Sequence, residues 1–291
     1  MEYVYEGSAH RRLFDSYERD EAPFPTDETM VFPARDYRRA ENELLYEIFF
    51  PRHFNAQSLL SDPGTVADHL QELGTVFATG IKPYGSEAPP EIVAAVVDAL
   101  PEIRRVLKTD VTAAYKGDPA AKSYLEIIRS YPSVQALCIH RVAHALYEHG
   151  AGEYARELTE HAKRETGIDV HPGATIGECC FIDHGTGVVV GETATIGEWV
   201  RIYQDVTLGA LHFETEDDGR TLKKGYKRHP DIGDDVVIGA GTKVLGAITI
   251  GDRVSIGANS WVTEDVPDDT HVYVSNHPDQ QRKPRNGSET S

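Results

Sequence analysis

From about residue 36 the apolar positions recur at helical spacing. Leu44, Leu45, Ile48 and Phe49 form one stripe, and Val66, Leu70, Leu73 and Phe77 form another. Similar stretches cover 90–108, 119–130, 132–148 and 153–166, several with proline near the first turn, and Gly150 follows 132–148 as a stop. The pattern predicts an all-helical domain over 35–167. Ahead of it, 1–34 mixes charge, aromatics and Pro23, Pro25 and Pro33, and reads as an extended lead-in.

Near Gly167 the period changes to six. Val170, Ile176, Ile182 and Val188 are followed, after a two-residue slip, by Val190, Ile196, Ile202 and Leu208. After a further gap come Ile232, Ile238, Val244, Ile250, Ile256 and Val262, and glycine follows many of these aliphatics. Cys180, Thr186, Ala194, Val200, Val236 and Ser260 supply a small or β-branched residue four places on. A period of six fits neither a helix nor an alternating strand. It is the mark of a parallel β-helix, whose aliphatics point inward on each rung. The fold expected is therefore α+β: a helical domain, then a β-helix over 168–266, then a polar tail over 267–291. The segment 210–227 lacks the repeat and must loop out of the coil.

Composition narrows the function. The net charge of −18 argues against nucleic acid as a partner. Ten lysines stand against nineteen arginines, a balance that suits a salt-rich cytoplasm. No apolar run is long enough to span a membrane, and the charged, tyrosine-rich first twenty residues do not read as a signal peptide, so a cytoplasmic location is expected. Cys138, Cys179 and Cys180 are an odd set, and the adjacent pair falls where the strands want small apolar filling.

Polar residues inside the repeat carry the chemistry. Asp169-Val170-His171-Pro172 opens it, Asp183-His184-Gly185 follows, and Arg228-His229-Pro230 closes the excursion. With about eighteen residues per coil, the interval from Asp169 to His184 sets the carboxylate near the imidazole, an arrangement that orients a general base. His171 reads as a corner turn. His140, His144 and His149 are spaced by four or five but lie on or just past a helix, and the β-helix histidines lack the spacing of a zinc site, so no metal is expected. No phosphate-binding glycine loop of the P-loop type occurs.

The stretches Asp169-Val-His-Pro, Asp183-His184-Gly-Thr-Gly-Val-Val-Val-Gly-Glu192-Thr, Tyr203-Gln204-Asp-Val-Thr-Leu208-Gly, Arg228-His229-Pro and Ile238-Gly-Ala240-Gly-Thr-Lys243 resemble the serine O-acetyltransferases, and Gly117-Asp118-Pro119-Ala120 resembles a short motif of their helical domain. The likeness runs from about 116 to 262. It implies a left-handed β-helix, acetyl-CoA as co-substrate without a metal, L-serine as acceptor, and trimers that often pair through the helical domains. By residue it implies His184 as general base and Asp169 as its partner. Asp118 and Asp183 would take the serine ammonium, Arg228 and His229 its carboxylate, with Glu192 nearby, while Ala240 and Ala258 would line the acetyl-CoA channel. Lys223, Lys224 and Lys227 in the excursion are candidate contacts for the CoA phosphates. Many members end in an isoleucine that docks into cysteine synthase, whereas this sequence reads Gly287-Ser-Glu-Thr-Ser291, so a cysteine synthase complex is not expected.

Overall fold

The computed structural model describes residues 9–17, 37–51, 53, 63–85 and 89–274. The chain divides into two units, 1–34 and 35–291. In the first, α1 (Ala9–Tyr17) is helical where an extended lead-in was expected. Its leucine and phenylalanine, Leu13 and Phe14, lie exposed on a short helix of mostly polar residues. The prolines at 23, 25 and 33 lie outside the described residues.

The second unit begins with six α-helices: α2 (Tyr37–Phe49), α3 (Pro63–Ile81), α4 (Pro89–Gly117), α5 (Tyr124–Ser130), α6 (Pro132–Glu148) and α7 (Gly152–Thr166). Leu45, Phe49, Leu73, Phe77, Leu107, Leu137, Leu146, Tyr154 and Leu158 make its buried interior, as their helical spacing predicts. Two boundaries differ from the sequence reading. α4 continues to Gly117, and α5 begins only at Tyr124, because Ser123 caps it: the Ser123 hydroxyl accepts the Glu126 N–H at 3.1 Å.

Gly167, in the left-handed conformation, ends α7 and hands the chain to the β-helix. Three parallel sheets of very short strands follow. In the first, Asp169–Val170, Val189–Val190, Thr207–Gly209, Lys243–Leu245 and Trp261–Val262 stack in order. The second stacks Thr175–Ile176, Thr195–Ile196, Asp231–Ile232 and Thr249–Ile250; the third stacks Phe181–Ile182, Arg201–Ile202, Val237–Ile238, Ser255–Ile256 and His271–Val272. The result is the expected left-handed prism. Every aliphatic of the six-residue register is buried, from Val170 to Val262. The last pairing, Ser255 with His271, carries the coil past 266 into what reads as polar tail, because Val266 and Val272 still supply inward apolar side chains; 275–291 lie outside the described residues.

A buried ion pair joins the helices to the prism. Arg141 on α6 makes two bonds of 2.8 Å to Asp110 on α4, and also donates to the carbonyls of Ile176 and Gly177 at 3.0 and 2.8 Å. Asp110 in turn accepts the Cys180 N–H at 3.0 Å, and the Thr109 hydroxyl accepts that of Cys179 at 2.9 Å. The cysteine pair is thus a docking edge, and all three cysteines are free and buried.

Candidate active site

Between the third and first sheets the chain turns through Asp183, His184, Gly185, Thr186 and Gly187. His184 takes a left-handed backbone (φ 61°), which projects its ring outward, so the side chain is 70% exposed. Its Nδ1 stands 3.6 Å from Asp183 Oδ1. Asp118, just past the end of α4, reaches the same edge. Its Oδ1 accepts the Ala120 N–H at 2.7 Å, and its Oδ2 accepts the Tyr131 hydroxyl. That hydroxyl holds Asp118 below the usual carboxylate range, helped by the Ala120 amide. Burial pushes Asp183 the other way, and the negative charge of Asp118 adds to it, while His184 and Arg201 oppose.

A second cluster occupies the next edge, between the first and second sheets. Arg228 pairs with Glu192 Oε2, and Tyr147 donates to the other oxygen at 3.2 Å. Burial works against ionisation of Glu192, but the Arg228 contact holds it below its ordinary value. His229 is buried against Thr193, whose N–H and hydroxyl lie 3.1 and 2.8 Å from Nδ1, leaving Nε2 as the protonated nitrogen. Burial and the adjacent Arg228 push His229 down to about 4, so at neutral pH it is an uncharged donor. Arg228 is then the permanent cation of the pair. His171 turns its corner as expected, its Nδ1 accepting the Gly173 N–H at 3.0 Å.

The carboxylate of Asp169 is not over His184 within the chain. The register pairs Asp169 with Val189, so the first coil takes twenty residues and His184 falls on the corner of that coil, short of the rung above. Asp169 is engaged by Lys163 at 2.7 Å and Arg156 at 3.4 Å, both on α7. Ala240 and Ala258 stack at the same edge as His184, the Asn259 N–H donating to the Ala240 carbonyl at 2.8 Å and the Gly241 N–H to that of Gln204 at 3.0 Å. Thr186, Gln204, Ala240 and Ala258 therefore climb one column. The excursion leaves from the other edge and is not featureless: Thr215 bridges Leu222, and the Asp218 carboxylate closes the turn onto the amides of Arg220 and Thr221. Lys223 pairs with Glu214 at 3.1 Å, and Lys227 with Asp231 and the Thr193 carbonyl, which leaves Lys224 as the lysine of the trio without an ion pair among the described residues.

Sequence reasoning missed Tyr131, Tyr147, Thr193 and Arg201. Each comes from a position whose spacing reads as packing or solvent face, and only the tertiary arrangement aims it at a carboxylate or imidazole.

Residues 229–264 match the bacterial transferase hexapeptide (six repeats) family. A serine acetyltransferase of Synechococcus elongatus is 44% identical over 261 residues, spanning 83% of this chain and 82% of the relative. The crystal structure of Entamoeba histolytica serine acetyltransferase 1 in complex with L-cysteine superimposes with a TM-score of 0.76 at 44% identity, covering 92% of this chain and 97% of that one. A Brucella abortus serine acetyltransferase in complex with coenzyme A gives a TM-score of 0.58 at 29% identity, covering 84% and 80%. With a relative this similar over more than four fifths of both chains, and with the same helical domain and hexapeptide prism, the chain belongs to the serine acetyltransferase family.

Proposed function

We propose that the protein transfers the acetyl group of acetyl-CoA to the hydroxyl of L-serine, giving O-acetyl-L-serine and CoA, the first step of cysteine biosynthesis. One observation supports this acceptor above others. The chain carries an anionic edge, Asp118 with Asp183, and a second edge with a guanidinium and a neutral imidazole donor, Arg228 with His229. Those are the complements of an amino acid's two ends. A neutral sugar calls for neither.

The two edges belong to different corners of the prism, separated by one side of the coil. At about 3.3 Å per residue, a side of about six residues spans up to roughly 20 Å, too far for one amino acid to bridge. The cleft is therefore completed by a second protomer in a homotrimer, whose carboxylate-binding edge faces the His184 edge of its neighbour. Across that cleft Asp169, which must exchange Lys163 for the imidazole, orients His184. Trimers pairing through their helical domains would give a hexamer.

In the reaction, Nε2 or Nδ1 of His184 takes the serine hydroxyl proton as the oxygen attacks the thioester carbonyl. The oxygen–acyl bond forms, the carbon–sulfur bond breaks, and the imidazolium returns its proton to the departing thiolate. General-base catalysis contributes about 10²–10⁴-fold, so positioning by the two edges has to supply much of the remainder. The pantetheine arm would lie along the column of Thr186, Gln204, Ala240 and Ala258, with Lys224 the first of the three excursion lysines to meet a phosphate.

The test is CoA thiol release from acetyl-CoA with L-serine, L-homoserine, L-threonine or a sugar as acceptor. L-serine should win clearly, and His184→Ala should abolish turnover while leaving the assembly intact. No thiol release with L-serine would sink the reading.

A further inference from the structure

Two side chains hold the anionic edge in shape without belonging to the general base or to the two carboxylates themselves. Tyr131 sits between two helices: its N–H closes α5 on the Ile127 carbonyl at 3.0 Å, and its backbone (φ −83°, ψ 120°) is the N-cap of α6. Its backbone is thus held by both helix ends, and its hydroxyl meets Asp118 Oδ2. Arg201 reaches the same place from the third sheet. Its Nη2 lies 2.7 Å from where a β-carbon at Gly117 would stand, and its guanidinium is 5.9 Å from the centre of the Phe181 ring. Glycine at 117 is what lets the cation approach the turn that carries Asp118.

We propose that Tyr131 and Arg201 are positioning residues of the serine-binding edge, Tyr131 fixing the direction of the Asp118 carboxylate and Arg201 keeping Asp118 and Asp183 both anionic beside one ammonium. The proposal rests on the reading of those carboxylates as the ammonium ligands. Two carboxylates that share a site repel, and without a neighbouring cation one of them takes up a proton. His184 is a cation only when protonated, and as a base it must be neutral before the reaction. Arg201 is a permanent charge close to both carboxylates, and its field lowers both carboxyls. Asp118 already spends Oδ1 on the Ala120 amide, so the Tyr131 bond to Oδ2 fixes the plane of the group and leaves its remaining lone pairs facing the ligand. Both residues act on the serine end of the cleft, and neither belongs to the column assigned to acetyl-CoA.

The experiment is steady-state kinetics on the full chain for Tyr131→Phe, Arg201→Met and Arg201→Lys, alongside Asp118→Asn and Asp183→Asn. Tyr131→Phe and Arg201→Met should each raise the serine KM about tenfold, the scale of one charge-assisted bond. The acetyl-CoA KM and the kcat at saturating serine should stay within about twofold, and Arg201→Lys should recover most of the loss. If Asp118→Asn and Asp183→Asn raise the serine KM while Tyr131→Phe and Arg201→Met do not, the inference is overturned and the carboxylate assignment stands. If the two asparagine variants leave the serine KM unchanged, the assignment itself fails and takes the inference with it. A parallel rise in both KM values together with a lower melting temperature marks Tyr131 and Arg201 as supports of the fold alone, which also overturns it.

Discussion

The imidazole of His229 lies against the α-carbon of Gly191, so closely that a β-carbon there would stand 2.2 Å from Nε2 and 2.1 Å from Cδ2. Because Thr193 grips the other ring nitrogen, the ring cannot turn away without breaking two hydrogen bonds. Gly191→Ala should therefore displace the donor from the carboxylate-binding edge. The expected outcome is a serine KM raised tenfold or more, and a stability loss of about 1–3 kcal/mol from overpacking, read by kinetics and by thermal unfolding.

A cleft shared between protomers makes a prediction about mixtures. His184→Ala and Arg228→Ala chains are each expected to be inactive. Refolded together in equal amounts, they should recover activity in about a quarter of the clefts, those that join an intact His184 to an intact Arg228 from the neighbour. Thiol release by the mixture checks this, and no recovery would place both edges in one chain's site. Pairing His184→Ala with Asp169→Ala asks the same question of the dyad.

The Asp110–Arg141 pair is an expensive join to break. Arg141→Met leaves a carboxylate buried with no guanidinium beside it and frees the carbonyls of Ile176 and Gly177. A loss of about 3–5 kcal/mol is expected in urea unfolding, with the helices and prism uncoupled. Adding Asp110→Leu to Arg141→Met should restore part of it, since no unpaired charge then remains.

Acid should weaken the fold through its buried histidines. Burial lowers His140 well below the ordinary value of 6.5, with His144 and Arg141 adding to the effect, and His229 falls to about 4. Since the unfolded chain binds these protons first, the stability they contribute is present above about 6.5 and is lost as pH falls toward the folded values. Glu41, Asp183 and Asp110, all raised by burial and Asp110 to about 6, act in the opposite sense, so the readout is a difference. Melting temperature between pH 7 and pH 5 should fall less steeply in His140→Gln than in the parent chain.

The prism was legible because its core obeys a count: apart from one two-residue slip and the excursion, an aliphatic recurs at six-residue spacing from Val170 to Val262 and every one is buried, and no tertiary information is needed to see the spacing. The helices were legible as stripes, less so at their ends, where the Ser123 cap and the length of α4 depend on single hydrogen bonds. Asp118, Asp183, His184, Glu192, Arg228 and His229 were all singled out, and the resemblance already paired the two aspartates apart from Arg228 and His229; that the two groups lie on different corners of one chain was not legible, because it follows from which corner each residue turns. Where Asp169 stands relative to His184 within one chain depends on the coil length. Eighteen residues per coil holds from Val189 to Thr207, but the first coil takes twenty, and fifteen residues from Asp169 reach only its last corner.

Thr207 pairs directly with Lys243, thirty-six residues on, and Leu208 with Val244, as though the excursion had never left. The rungs below and above it keep their alignment because strand pairing is decided only where the chain re-enters. An edge of this prism is thus a place where sequence can be inserted, lengthened or rewritten in evolution without the scaffold being renegotiated. Selection on what the cleft admits can act at the corner while selection on folding acts on the rungs, and the two need not compete for the same residues.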